Sequence, residues 1–205
     1  DGAFRAHARF LGSGRVRVVP LAELPGMDER EDAVALTFDD GFRNFATSGY
    51  SLLLEHGLPA TVFVVSDHVG GTNAWGGRSP EGIPVLDLMS WDDLGRVAGS
   101  GIEIGAHTRG HPDLTTLTNG RIEDECAGCV ERIASALGVR TTGFAYPYGR
   151  VNETVARVAR DVFARSCTTE FRALVAAENA ALLPRLDAYY FRDPGQLERW
   201  GTPGF

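Results

Sequence analysis

Apolar and polar positions fall in blocks along this chain that predict strands and helices in alternation. Residues 33–38 (Ala-Val-Ala-Leu-Thr-Phe) form an apolar run that reads as a buried strand. Residues 45–56 carry Tyr50, Leu53 and Leu54 on one helical face, and Gly57 and Pro59 stop that helix. A second strand, short and β-branched, follows at 60–65. Residues 66–89 hold Gly70-Gly71, Gly76-Gly77, Pro80 and Pro84 and read as a loop; loops this long in a compact domain are usually functional or disordered. Ser90 reads as an N-cap, with Asp92 and Asp93 in the first turn where the helix dipole favours acids. That helix ends at Gly99-Ser100-Gly101, and a strand at 102–106 delivers His107.

The clearest amphipathic pattern is Ile122, Cys126, Val130, Ile133 and Leu137, a helix opened by Thr118 or Asn119 and stopped by Gly138. A strand at 142–146 then ends in Pro147-Tyr148-Gly149, and Asn152 caps another helix. Strands at 163–167 and 182–186 and a terminal helix near 196–200 complete the series. Six or seven strands alternating with helices predict a single α/β domain, residues 1–205, built on a parallel sheet. Periodicity alone admits both an open doubly wound sheet and a closed barrel. The polar punctuation favours a distorted (β/α) barrel: Asp39-Asp40, His107 and Tyr148 each fall at the carboxyl end of a predicted strand, the rim where parallel barrels gather their sites.

Composition narrows the partners. Apolar residues make up 43% of the 205 and charged residues 23%, which is ordinary for a globular domain. The net charge of −7, with no cluster of basic residues, argues against nucleic acid and anionic membrane surfaces as partners. The apolar runs are too short for a transmembrane helix. The chain opens Asp1-Gly2-Ala3 without a Met, so a cytoplasmic and an exported location both stay open. Cys126 and Cys129 form a C-x-x-C inside a helical pattern, with no second pair to complete a zinc ribbon, and read as small residues of a buried helix face.

Candidate chemistry lies in two places. Asp39-Asp40-Gly41 closes the first strand, and His107 and His111 stand four residues apart after the third. One carboxylate and two imidazoles can hold a metal with a position left open for water, and the second carboxylate is left over. His7 and His56 read as surface residues, and His68 is left open because its loop borders the site.

Thr37-Phe38-Asp39-Asp40-Gly41 together with His107-Thr108-Arg109-Gly110-His111-Pro112-Asp113-Leu114 resembles the polysaccharide deacetylase family, also called the NodB-homology domain or carbohydrate esterase family four. Tyr146-Pro147-Tyr148-Gly149 resembles its third motif, and the likeness covers roughly residues 33–187. The resemblance implies a distorted (β/α) barrel and a metal-dependent deacetylase acting on an acetylated carbohydrate or glycoconjugate. It further implies that Asp40, His107 and His111 hold the metal, commonly Zn2+, with Co2+, Ni2+ or Mn2+ sometimes replacing it. Asp39 would then be the general base toward a metal-activated water, and the backbone N–H of Tyr148 a donor to the oxyanion.

Two departures from the family pattern stand out. Many members brace the catalytic aspartate with an arginine in the third motif, where this chain has Ala145. Arg185, in Leu183-Pro184-Arg185-Leu186-Asp187, is a candidate replacement; the alternative is a surface arginine paired with Asp187. Many members also carry a late His that protonates the leaving amine, and no His follows His111. That leaves Asp39 returning its own proton or a carboxylate such as Asp187 serving. Trp75 is a candidate pocket wall for a sugar face, with pinning of its long loop as the alternative; Trp91 and Trp200 read as structural. Three functions fit these residues: an N-deacetylase, an O-acetyl esterase or small-molecule amidase with the same centre, and a non-catalytic carbohydrate-binding protein.

Overall fold

A computed structural model describes residues 2–28, 30–77, 82–175, 177–197 and 199–200. Its strands are β1 (Arg17–Val18), β2 (Ala33–Val34), β3 (Leu36–Phe38), β4 (Ala60–Val64), β5 (Glu103–Ala106), β6 (Gly143–Ala145) and β7 (Arg165–Cys167). The α-helices are α1 (Gly2–Leu11), α2 (Tyr50–Glu55), α3 (Trp91–Gly99), α4 (Asn119–Leu137), α5 (Glu153–Val162) and α6 (Pro194–Leu197). β3 to β7 pair in parallel and in chain order, while β1 and β2 form a separate parallel pair. Each crossover therefore moves one strand along in the same direction. A doubly wound sheet reverses that direction at a switch point, so the strand order belongs to a barrel, here a curled half-barrel of five strands.

Local chemistry explains most element boundaries. Ser90 and Asp93 form a reciprocal capping box at the start of α3. Asn152 Oδ1 accepts the Val155 N–H at the start of α5. Gly57 (φ 64) closes α2 while Leu58 N–H bonds back to Leu53 O at 2.9 Å, and Gly138 (φ 68) closes α4. α2 is shorter than residues 45–56 because Phe45–Gly49 winds as a π-turn, with Tyr50 N–H reaching back to Phe45 O.

Three expectations need correction. The single strand at 33–38 is two: Ala35 steps out of the ladder, so β2 pairs with β1 while β3 pairs with β4. Residues 182–186 do not form a strand; only Leu183 bridges to Cys167, and Pro184 has no N–H with which to extend the ladder. His7 is buried rather than on the surface, because α1 packs inward and His7 Nε2 lies 2.6 Å from Phe191 O. The terminal helix is the short α6, and position 198 of the expected helix lies outside the described residues, as do 78–81 of the long loop. Among the described residues no helix is long and apolar enough to cross a membrane.

The core has two parts, set by the strand alternation of β4. Val62 and Val64 pack with Leu94, Val97, Ile122, Ile133 and Val155 beneath the helices. Phe63 points the other way, into the curl of the sheet, against Leu21, Ala145, Cys167 and Leu183. Cys126 and Cys129 are free and buried on α4, where burial pushes their thiols up to about 12 and about 11.

The space beside Phe63 exists because β5 carries Gly105. A Cβ there would lie 2.6 Å from Phe63 Cε1 and 3.2 Å from Gly143 O. Gly105→Ala is therefore expected to lower stability by about 1–3 kcal/mol through overpacking, read as a lower urea midpoint. An unchanged midpoint would show that the curl of the sheet has slack at this point.

Candidate metal centre

The site gathers at the carboxyl ends of β3, β5 and β6, which release Asp39-Asp40, His107 and Tyr146-Pro147-Tyr148 respectively. The backbone turns sharply at each release. Asp40, Thr108, His111 and Tyr148 are left-handed, with φ between 60° and 67°, and they are four of the five non-glycine residues so found among the described residues. Such residues cost on the order of 1–3 kcal/mol each and persist where their surroundings over-determine them. Here the strain separates neighbours: the turn at Asp40 and Gly41 sends Asp39 and Asp40 in different directions. The long loop holds that turn down, since Met89 N–H donates to Gly41 O at 2.9 Å.

Asp40, His107 and His111 converge. Asp40 Oδ1 lies 3.4 Å from His107 Nε2 and 3.4 Å from His111 Nε2, and the two Nε2 atoms are 3.2 Å apart. Ligands about 2.0–2.1 Å from a tetrahedral zinc ion are separated from one another by about 3.3 Å. His107 Nδ1 lies 2.7 Å from Ala145 O and donates to it, so the Nε2 lone pair is the one that faces Asp40 and His111. Asp40 Oδ1 is buried and receives no hydrogen bond. A buried acceptor without a donor is costly, and a cation at this point would satisfy it together with both imidazoles. The residues present fit a divalent metal.

The electrostatics agree with that fit. Burial pushes His107 down, but Asp40 and Asp39 outweigh it and its affinity for a proton is raised. Burial and the neighbouring His107 charge push His111 down to about 4. At neutral pH His111 is therefore neutral, as a ligand must be.

Asp39 faces a different environment. Arg185 clamps it with two bonds, Nη1 to Oδ1 at 2.6 Å and Nη2 to Oδ2 at 2.8 Å. The guanidinium is itself fixed by Nε donating to Thr168 O at 2.8 Å. Burial pushes the Asp39 carboxyl up, but the charge and hydrogen bonds of Arg185 outweigh it and hold the group below the usual carboxylate range. Ala145 carries no such guanidinium; its side chain packs in the curl of the sheet and its carbonyl serves His107.

Around these groups lies a cavity of about 190 Å³, whose walls include Trp75, Tyr148, Asn73 and Thr169. Trp75 stacks on the His111 ring (4.6 Å, 22°) and meets His68 edge-on at 4.9 Å. Tyr148 meets His111 edge-on at 4.6 Å, so His111 is held between two aromatic rings. Asp187 is not brought into the cavity. It is exposed and accepts the Tyr189 N–H at 2.8 Å, capping a short turn instead. Asn73 and Thr169 escaped the sequence reading. Asn73 Oδ1 accepts Leu86 N–H and its Nδ2 donates to Pro84 O, tying the loop across itself; a buried Asn in a glycine-rich loop was the available signal.

Known proteins resemble this chain in sequence and in fold. The sequence model of the polysaccharide deacetylase family matches residues 26–165. YxkH of Bacillus subtilis, named for the same family, is 26% identical over 173 residues, which is 82% of this chain and 57% of that protein. A chitooligosaccharide deacetylase of Rhizobium leguminosarum bv. trifolii is 36% identical over 119 residues, 58% of this chain and 46% of that protein. The chain thus spans about half the length of these two curated relatives. The deacetylase PplD of Streptococcus pyogenes, solved in complex with acetate, superposes with a TM-score of 0.81 at 21% identity, covering 98% of this chain and 87% of that one. At that identity the likeness is one of fold.

Removing Arg185 tests the electrostatics of Asp39 in the metal-free protein. The wild-type pair adds stability above the ordinary carboxylate value of 3.8, and that stability is lost as pH falls through the lower pKa of Asp39. In Arg185→Ala the burial of Asp39 goes uncompensated and its pKa rises. The side chains of Asp39 and Arg185 keep 33% and 18% exposure, so the expected loss is about 2–3 kcal/mol at neutral pH, less than for a fully buried pair. The gap between the two proteins should narrow as pH falls below 3.8 and Asp39 of the wild type protonates. A gap that stays constant over that range in denaturant titrations would contradict the assignment.

Proposed function

The chain belongs to the polysaccharide deacetylase family, and we propose that it hydrolyses the acetamido group of an N-acetylated sugar or glycoconjugate in a metal-dependent reaction. One observation carries the reading: three convergent ligand atoms share a cavity with a second, separately held carboxylate. Asp40, His107 and His111 would hold the ion, and their donor set of two imidazoles and a carboxylate suits Zn2+, with Co2+, Ni2+ or Mn2+ as substitutes. When bound, such an ion supplies Lewis acidity, acidifying water and polarising a carbonyl.

The chain's own residues do the rest. Arg185 keeps Asp39 ionised and orients it, so that Asp39 takes a proton from water as the oxygen attacks the acetyl carbon. The backbone N–H of Tyr148, turned by its left-handed conformation, donates to the developing oxyanion. Among the described residues lining the cavity, Asp39 and Asp40 are the only carboxylates. Asp39 therefore returns its proton to the departing nitrogen as the C–N bond breaks, giving acetate and a free amine. The relative named for chitooligosaccharide deacetylation supports a sugar substrate.

The test is acetate release from N-acetylglucosamine oligomers by protein stripped of metal and reloaded with zinc or cobalt. Release should appear only after reloading. In Asp39→Asn it should fall by about 10²–10⁴ while bound metal stays stoichiometric. Undiminished turnover in Asp39→Asn would remove Asp39 as the base, and release from O-acetylated sugars alone would move the substrate to an ester.

A further inference from the structure

Glu125 lies on α4, outside the cavity, yet it is 7% exposed and its carboxylate points at the turn between the two imidazoles. Its Oε2 accepts two backbone N–H groups, from Arg109 at 2.9 Å and from Gly110 at 2.8 Å. The next amide, that of His111, donates to Thr108 Oγ1 at 2.9 Å. Thr108 and His111 are both left-handed, and between them the chain curls so that consecutive amides converge on captured acceptors, the geometry of an anion-binding nest. Here the anion is a side chain of the protein itself.

The burial of this carboxylate is not explained by an ion pair. Arg109, the nearest cation in sequence to the turn, sends its guanidinium to Asp67 and Asp124 instead. Among the described residues no salt bridge involves Glu125, so the two bonds from backbone amides are what offset its desolvation. Nor does α4 need it for packing, since Ile122, Cys126, Cys129 and Ile133 already supply the buried face. An apolar side chain at position 125 would serve a helix interface better.

We propose that Glu125 is a positioning residue for the metal centre, holding His111 in register with His107 and Asp40 by clamping the backbone of residues 109–110. This rests on the metal reading of the site. The backbone on the N-terminal side of the His111 Cα is constrained twice, by Thr108 Oγ1 on its own N–H and by the Glu125 clamp on Gly110. Release of the clamp frees two half-buried amides to seek other partners, and the Nε2 atom of His111 then leaves its place beside Asp40 and His107. Supporting groups of this kind typically change metal affinity by about 10–100-fold.

Competition titrations of zinc against a chromophoric chelator, with the visible spectrum of the cobalt-loaded protein, test the inference without recourse to turnover. Glu125→Ala should bind zinc about 10–100-fold more weakly and alter the cobalt spectrum. Glu125→Gln keeps an acceptor oxygen for both amides and should restore affinity to within about threefold, a rescue that a requirement for charge would not allow. Thermal unfolding of the metal-free variants reports whether each is folded. Should Glu125→Ala fail to fold, Glu125→Asp decides, because it keeps the charge but falls one methylene short of the amides and should also weaken zinc binding. A folded Glu125→Ala, or Glu125→Asp in its place, with wild-type affinity and spectrum overturns the proposal. So does a loss in Glu125→Gln equal to that in Glu125→Ala. Wild-type protein that takes up no zinc would instead remove the metal centre itself, and with it any such role.

Discussion

Three lone pairs crowded into one buried point form the constraint on which the rest of the site depends. Asp40 Oδ1 and the two histidine Nε2 atoms sit 3.2–3.4 Å apart with no hydrogen bond reaching the carboxylate oxygen. Polar groups do not assemble this way unaided, because each gives up hydration on burial. Backbone conformation and side-chain capture hold them together. Left-handed turns at Asp40 and His111 aim two of the ligands, and Ala145 O fixes the ring of the third. The aromatic faces of Trp75 and Tyr148 then wedge His111 from two sides.

The adjacent carboxylates Asp39 and Asp40 show how environment divides chemistry between identical groups. Both leave the end of β3, but the left-handed turn sends them to different partners. Asp39 meets a guanidinium, which satisfies both of its oxygens and holds it ionised. Asp40 Oδ1 meets two neutral-capable imidazoles and no donor, so its charge is left for a cation. Arg185 reaches Asp39 across 146 residues of sequence because the segment after β7 returns beside β3's end, anchored where Leu183 bridges Cys167. The parallel sheet thus acts as a frame that brings the ends of distant strands to one rim.

Local signals in the sequence read well where local physics decides the outcome. The Ser90 cap, the glycine stop at Gly138 and the amphipathic stripe from Ile122 to Ile133 all depend on contacts within a few residues. The strand ends that carry Asp39-Asp40 and His107 were legible too, because a buried apolar run followed by abrupt polarity marks a rim. Long-range contacts were not. Ala35 divides a continuous apolar run only because two different partners compete for its flanks. His7 looks like a solvent-facing residue until α1 packs inward and brings it to Phe191 O. Asp187 reads as a candidate proton donor, but it is exposed, caps a short turn and is not among the cavity walls. Glu125 was hidden by its type, since a charged residue in mid-helix reads as solvated; its place three residues after Ile122 and four before Cys129, inside the buried stripe, was the signal. The left-handed conformations of Thr108, His111 and Tyr148 leave no trace in composition at all.

The measurement that bears most directly on this account is anomalous X-ray diffraction at the zinc absorption edge, from crystals of the protein grown with zinc. The account predicts one strong peak about 2.0–2.2 Å from Asp40 Oδ1, His107 Nε2 and His111 Nε2 together, with Asp39 still clamped by Arg185 and outside bonding distance. A zinc peak held by other groups, or Asp39 swung into the coordination sphere away from Arg185, would contradict it.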